Sequence, residues 1–238
     1  MNKGKETTMQ RTIAPGIVAL LAASLPLVVQ ADVAADVQQQ CGGCHALSHD
    51  YASQDISERA QRKGPPLDYA GNKFQRDWLA AWLEKPVRIR PAGIFPPARV
   101  SQGPNGDVVD PATLPAHPAV PAAQAAAMAD YLMTLTPRTD LIKAETWQPG
   151  SIAERMGKMN FGKFKGCDGC HQDEPGVGGV SGPELYTAWR RLQPAFISSY
   201  IGNPVAWDAH SMMPRGDSNS DAVHKLADYL KVIGEKQP

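Results

Sequence analysis

The chain has 238 residues, with 24 Lys and Arg set against 24 Asp and Glu. A length of this order allows one large domain or two small ones. A formal charge of zero removes the electrostatic pull toward nucleic acid or an anionic membrane, so any docking surface is a local patch. In chain order, residues 1–31 predict a secretion signal. Lys3, Lys5 and Arg11 precede an apolar run from Ile13 to Val29, and Val29-Gln30-Ala31 offers a small-residue cleavage site before Asp32. Met9 serves equally well as a start. Retention as a membrane anchor is the alternative, but Pro15, Gly16 and Pro26 interrupt the run and leave it short for a spanning helix. In either case the remainder faces the periplasm.

A helix-compatible stretch from Val33 to Gln40 leads into Cys41. After Gly64-Pro65-Pro66-Leu67, the spacing of Trp78, Leu79, Trp82 and Leu83 predicts a helix over 75–84, stopped by Pro86. Residues 90–121 are dense in Pro and Gly and read as a long loop, and an alanine-rich helix is predicted over 122–135. The second half repeats this order. A helix is predicted over 152–165, then Gly182-Pro183-Glu184-Leu185, a helix over 193–201, a stop at Asn203-Pro204, a loop through Met213-Pro214 and a last helix over 221–232. Residues 137–150, with Pro137 and Pro149, form the expected linker between a domain at 32–136 and a domain at 151–238.

All four cysteines lie in two pentads, Cys41-Gly42-Gly43-Cys44-His45 and Cys167-Asp168-Gly169-Cys170-His171. Cys-x-x-Cys-His reads as an attachment site for a c-type haem. Two thiols one short turn apart form thioethers with the haem vinyl groups, and the histidine that follows lies under the iron as axial ligand. The expected cofactors are therefore two covalently attached haem c groups, on Cys41 and Cys44 and on Cys167 and Cys170, with His45 and His171 on the irons. The rival readings are a zinc ion held by both cysteine pairs and a redox dithiol. Zinc would not need a histidine directly after each pair, and a dithiol explains one pair at best.

The order of pentad, Gly-Pro-x-Leu, helix, x-Pro, loop with a sulfur ligand before proline, and final helix ending in Tyr-Leu resembles class I cytochrome c domains, twice over. The resemblance implies an all-α fold of two tandem cytochrome c-like domains, each a small helical bundle wrapped round one haem. It implies a methionine from the later loop as second axial ligand. In the second half Met213, directly before Pro214, takes that position, with Met212 and His210 as rivals. The first half departs from the pattern, since no methionine occurs between Cys44 and Ala127. His117-Pro118 stands there instead, fourteen residues before Tyr131, so His117 is the expected sixth ligand. The resemblance also implies that the carbonyls of Pro65 and Pro183 accept a hydrogen bond from the two proximal histidines. His49 and His224 read as surface residues, Met128 and Met133 as core, and Trp207 as core or as a neighbour of the second haem.

These assignments give one bis-histidine haem and one histidine-methionine haem. Thioether ligation raises potential relative to two imidazoles, so the first haem is expected to be the lower-potential one. The expected function is periplasmic one-electron transfer between redox protein partners that dock transiently, with no small-molecule substrate. The alternatives are a dihaem oxidoreductase of the peroxidase or sulfur-compound dehydrogenase type, or a haem subunit of a larger complex. The sulfur enzymes of this size use a distal cysteine, and this chain has none to spare.

Overall fold

A computed structural model describes residues 25–49, 53, 55–104, 106–215 and 220–237, with Met1 and Gly4. The expected leader lies largely outside the described residues, and α1, Leu25–Cys41, runs across the expected cleavage point. Among the described residues no helix is long and apolar enough to cross a membrane. The chain continues with α2, Ile56–Ala60. Asp55 Oδ1 accepts from the Ser57 and Glu58 amides at 2.8 and 3.0 Å, while Glu58 Oε2 accepts from the Asp55 amide at 2.8 Å. This reciprocal exchange is the capping box that starts the helix. Then come α3, Ala70–Lys73, and α4, Arg76–Glu84.

The expected long loop is not bare. It holds a hairpin of β1, Val100–Gly103, and β2, Gly106–Val109, with Val100 opposite Val109. β-Branched residues on either side of Pro104-Asn105-Gly106 account for it, because Asn-Gly is a strong hairpin signal. Helix α5, Ala122–Met133, follows, and the expected linker contains α6, Thr139–Lys143. In the second half the predicted helix over 152–165 is split into α7, Glu154–Lys158, and a π-helical turn, Met159–Phe164. Strands β3, Gln172–Glu174, and β4, Val177–Gly178, form a second small hairpin. Helices α8, Ala188–Arg191, α9, Pro194–Gly202, α10, Pro204–Trp207, and α11, Ser220–Gly234, complete the chain. The fold is mostly helical, in line with the expected class, with two small hairpins added.

Corresponding helices pack alike. α5 lies against α1 and α4, and α11 against α7 and α9. Val37 of α1 meets an α5 face of Ala125, Met128, Ala129 and Leu132, each at most 1% exposed. In the second half Gly157 of α7 lets α11 approach closely, since a Cβ there would come within 2.3 Å of Tyr229 Cδ2. The Tyr229 hydroxyl donates to Asp173 Oδ2 at 2.6 Å, both groups being buried. Trp147, in the expected linker, is buried against Trp189 and His224, and the Gly150 amide donates to Asp228 Oδ1 at 2.7 Å. This segment is therefore packed onto the second half. His224, expected at the surface, is half-buried beside Trp147 and Glu145.

The halves meet through a reciprocal exchange. The Gln75 amide donates to Arg191 O at 2.9 Å and the Gln193 amide to Lys73 O at 2.8 Å, on either side of a bridge between Phe74 and Leu192. The side chains repeat the swap. Gln75 Nε2 donates to Trp189 O and Leu192 O at 2.7 and 3.0 Å, and Gln193 Nε2 donates to Gly71 O and Phe74 O at 2.6 and 3.1 Å. The ion pair of Arg62 with Asp208, at 2.9 Å and largely shielded, adds to the joint. Tyr69 of the first half packs on Phe196 and Trp207 of the second, with ring centres 6.3 and 5.4 Å apart. Trp207 is fully buried and its Nε1 donates to Ser199 Oγ at 3.1 Å, which makes it a core residue. Replacing Gln75 or Gln193 by alanine leaves two carbonyls at the joint without their donor. Each change is expected to lower stability by about 1–3 kcal/mol, read as a fall in thermal midpoint, with the double variant's loss differing from the sum of the two because the sites share one joint.

Candidate functional site

Both pentads fold into the same turn. The Cys44 and His45 amides donate to Cys41 O at 3.0 and 2.9 Å, and those of Cys170 and His171 donate to Cys167 O at 3.1 and 3.0 Å. The turn puts two thiols and one imidazole on a single short arc. In the second half Gly166, at φ 63°, sets the entry to that turn, in a left-handed conformation natural to glycine. Cys44 and Cys170 are exposed and Cys41 and Cys167 half-buried. Burial, reinforced by Cys44, pushes the Cys41 thiol up. Burial, followed by Asp168, pushes that of Cys167 to about 11. A redox dithiol depends on the opposite shift. Among the described residues no three His, Cys, Asp or Glu side chains cluster to hold a metal ion, as a tetrahedral zinc site would require.

Each pentad histidine is oriented by a proline carbonyl. His45 Nδ1 donates to Pro65 O at 2.7 Å and His171 Nδ1 donates to Pro183 O at 2.7 Å. Such a bond fixes tautomer and ring plane and leaves Nε2 as the nitrogen with a lone pair to offer. The turns are held in place by equivalent bonds, Leu67 N to Ala46 O at 2.8 Å and Leu185 N to Gln172 O at 2.7 Å. The glycine before each proline has a steric reason. A Cβ at Gly64 would lie 2.4 Å from His45 Cε1, and one at Gly182 would lie 2.5 Å from His171 Cε1. Burial lowers the pKa of both histidines, against the raising effect of the hydrogen bonds to Pro65 and Pro183. Neutral imidazole is the form that binds metal.

His117 is brought to the first pentad from seventy-two residues away in sequence. Its ring centre lies 6.1 Å from that of His45, with planes at 55°. Two imidazoles that grip one metal ion from opposite sides, each nitrogen about 2 Å from it, hold their ring centres about 6 Å apart. His117 Nδ1 donates to Pro118 O at 2.8 Å, so its Nε2 is likewise left for the other partner. Both rings thus carry the same tautomer, pinned by a proline carbonyl.

The second half fixes His171 in the same way, and burial separates the two methionine candidates while leaving His210 and Met213 both half-buried. Met212 is 60% exposed, whereas Met213 is half-buried. The Met213 amide donates to Ser211 Oγ at 3.2 Å, and Ser211 Oγ is bonded to Tyr200 Oη of α9 at 3.1 Å. The His210 amide is turned back to Asp208 Oδ1 at 3.0 Å. Of the remaining candidates, Met128 is core, Met133 is half-buried, and His49 is exposed and bonded to Asp68 Oδ2 at 2.8 Å.

Sequence reasoning missed the cations gathered at the joint. The Lys73 ammonium lies over the rings of Phe74, Tyr69 and Phe196, at 4.9, 5.6 and 5.8 Å. Burial, with Arg90 and Arg191 nearby, pushes its pKa down to about 7. Lys73 lies within electrostatic reach of His45, and Arg90 and Arg191 within reach of His171. Arg90 belongs to a first-half segment that lies along the Pro183 turn, through Glu184 N to Ile89 O at 2.8 Å and Ala92 N to Val180 O at 3.2 Å. A group bearing carboxylates, as haem does, suits such surroundings. No protein-family model, no curated protein and no solved structure matches the chain.

Proposed function

We propose that each half carries one covalently attached haem c and that the protein transfers single electrons between redox partners in the periplasm. The observation that carries this reading is the approach of the His45 and His117 rings to 6.1 Å between centres beside a Cys-x-x-Cys-His turn. When bound, a haem iron supplies a one-electron couple whose potential follows its axial ligands and surroundings. Cys41 with Cys44, and Cys167 with Cys170, would hold the two groups. His45 and His117 would occupy both axial positions in the first half, and His171 and Met213 those in the second. With both positions filled by side chains, neither site offers an open place for a substrate. Rigid ligation also suits electron transfer, and Pro65 and Pro183 would supply it by fixing the two pentad imidazoles at Nδ1.

Two imidazoles set a lower potential than imidazole with thioether, so electrons would enter at the His45–His117 site and settle at the His171–Met213 site. Partner contacts would be small and transient. A redox titration of the exported protein, followed by low-temperature electron paramagnetic resonance, is expected to resolve two low-spin signals of different potential, the bis-histidine one becoming reduced second. One haem per chain, or a high-spin signal at rest, would refute the proposal. Size-exclusion of the native periplasmic extract separates a free carrier from a complex subunit, since a free carrier elutes near its own mass.

A further inference from the structure

His117 sits on a segment with little regular structure, flanked by Pro115, Pro118 and Pro121, and its ring is half-exposed. Its hydrogen bond to Pro118 O is to the next residue and moves with the loop. What ties the segment to the bundle is α4. The Val120 amide donates to Leu83 O at 3.1 Å, and the His117 ring lies against Trp82, with ring centres 4.5 Å apart and planes at 58°. That indole is itself held. Its Nε1 donates to Val87 O at 2.9 Å, just past the proline that stops the helix. Trp78, one turn earlier, stacks on it at 5.8 Å and 26°, and Phe74 stacks on Trp78 at 5.7 Å. Trp78 and Trp82, four residues apart on α4, share one side of the helix, and the row of stacked rings continues to Phe74, which precedes α4 in extended conformation and is buried at the joint between the halves. A ring fixed at its nitrogen and along its stack cannot turn freely, so an imidazole in contact with it has its plane set as well.

We propose that Trp82 is the positioning residue for the sixth ligand of the first haem, a fixed wall that sets the plane of the His117 imidazole and keeps it on the iron. This rests on the reading of His117 as a ligand. The sequence marks Trp82 only as part of a helical apolar face, and its role follows from contacts the fold creates.

The test uses the exported holoprotein with Trp82→Leu and Trp82→Phe, haem content being measured first by the alkaline pyridine spectrum. In the leucine variant with both haems present, the bis-histidine paramagnetic resonance signal is expected to move to new g values. Carbon monoxide uptake by the reduced first haem is expected to rise about fivefold, the scale of one lost aromatic contact. The phenylalanine variant, which keeps a ring against His117, should lie near the unaltered protein in both. Unchanged g values and uptake in the leucine variant would overturn the proposal. Should that variant not accumulate, proton NMR of the oxidised unaltered protein decides the matter. The Trp82 indole resonances should be displaced by the adjacent low-spin iron, and ordinary diamagnetic positions would overturn the proposal. Failure of the underlying reading looks different, because His117→Ala would then leave the resonance spectrum unchanged whatever the Trp82 variants do.

Discussion

Replacing His117 by alanine is expected to open the proposed first haem, so that the reduced protein takes up one equivalent of carbon monoxide per chain where the unaltered protein takes up only a trace. The second haem keeps its spectrum. The reasoning is geometric. The ring centres of His45 and His117 lie 6.1 Å apart, and each ring has its Nδ1 committed to a proline carbonyl. Removing one leaves a single axial nitrogen. His117→Met, which keeps six-coordination and restores the sulfur ligand, is expected to raise the first haem's potential toward that of the second. The pair of variants separates loss of a ligand from change of a ligand. If the alanine variant keeps a low-spin spectrum and excludes carbon monoxide, another residue binds that iron.

Gly64→Ala and Gly182→Ala are expected to cripple the site on their own half. A methyl group at Gly64 would press to within 2.4 Å of His45 Cε1 and 2.5 Å of Nδ1, and at Gly182 it would meet His171 Cε1 and Nδ1, each at 2.5 Å. Either the imidazole or the turn must move, and both are held by the same hydrogen bond to the next proline. Overpacking of this kind costs about 1–3 kcal/mol, and breaking the proline bond adds about 1 kcal/mol. The expected result is a lower melting temperature together with loss or alteration of one low-spin signal, the first for Gly64 and the second for Gly182. A variant that melts and absorbs like the unaltered protein would show that the glycine has room after all. Because the halves carry equivalent turns, each variant serves as the other's control.

Much of this arrangement was legible in the sequence where a local rule applied. The helices around Trp82, Tyr131 and Tyr229 follow from apolar spacing, and the end of the first from Pro86. The hairpin at 100–109 was also available, in Pro104-Asn105-Gly106 between valines, but the density of proline around it outweighed that signal. The break at Met159 was not legible, since no proline or unusual run marks where the α-helix widens. At the site, His117 was found by counting from the final helix, a positional argument. What counting cannot supply is its partner Trp82, or the gathering of Lys73, Arg90 and Arg191, because those meetings depend on how distant segments are folded together. Within the expected linker between Pro137 and Pro149, Trp147 finds a hydrophobic seat beside Trp189 that composition does not announce.

The swapped glutamines carry an evolutionary constraint. Each amide side chain satisfies main-chain oxygens that belong to the opposite copy, so neither copy is self-sufficient, and cutting the chain between them would yield two fragments with raw, thirsty edges. A substitution at this seam must therefore suit both sides at once.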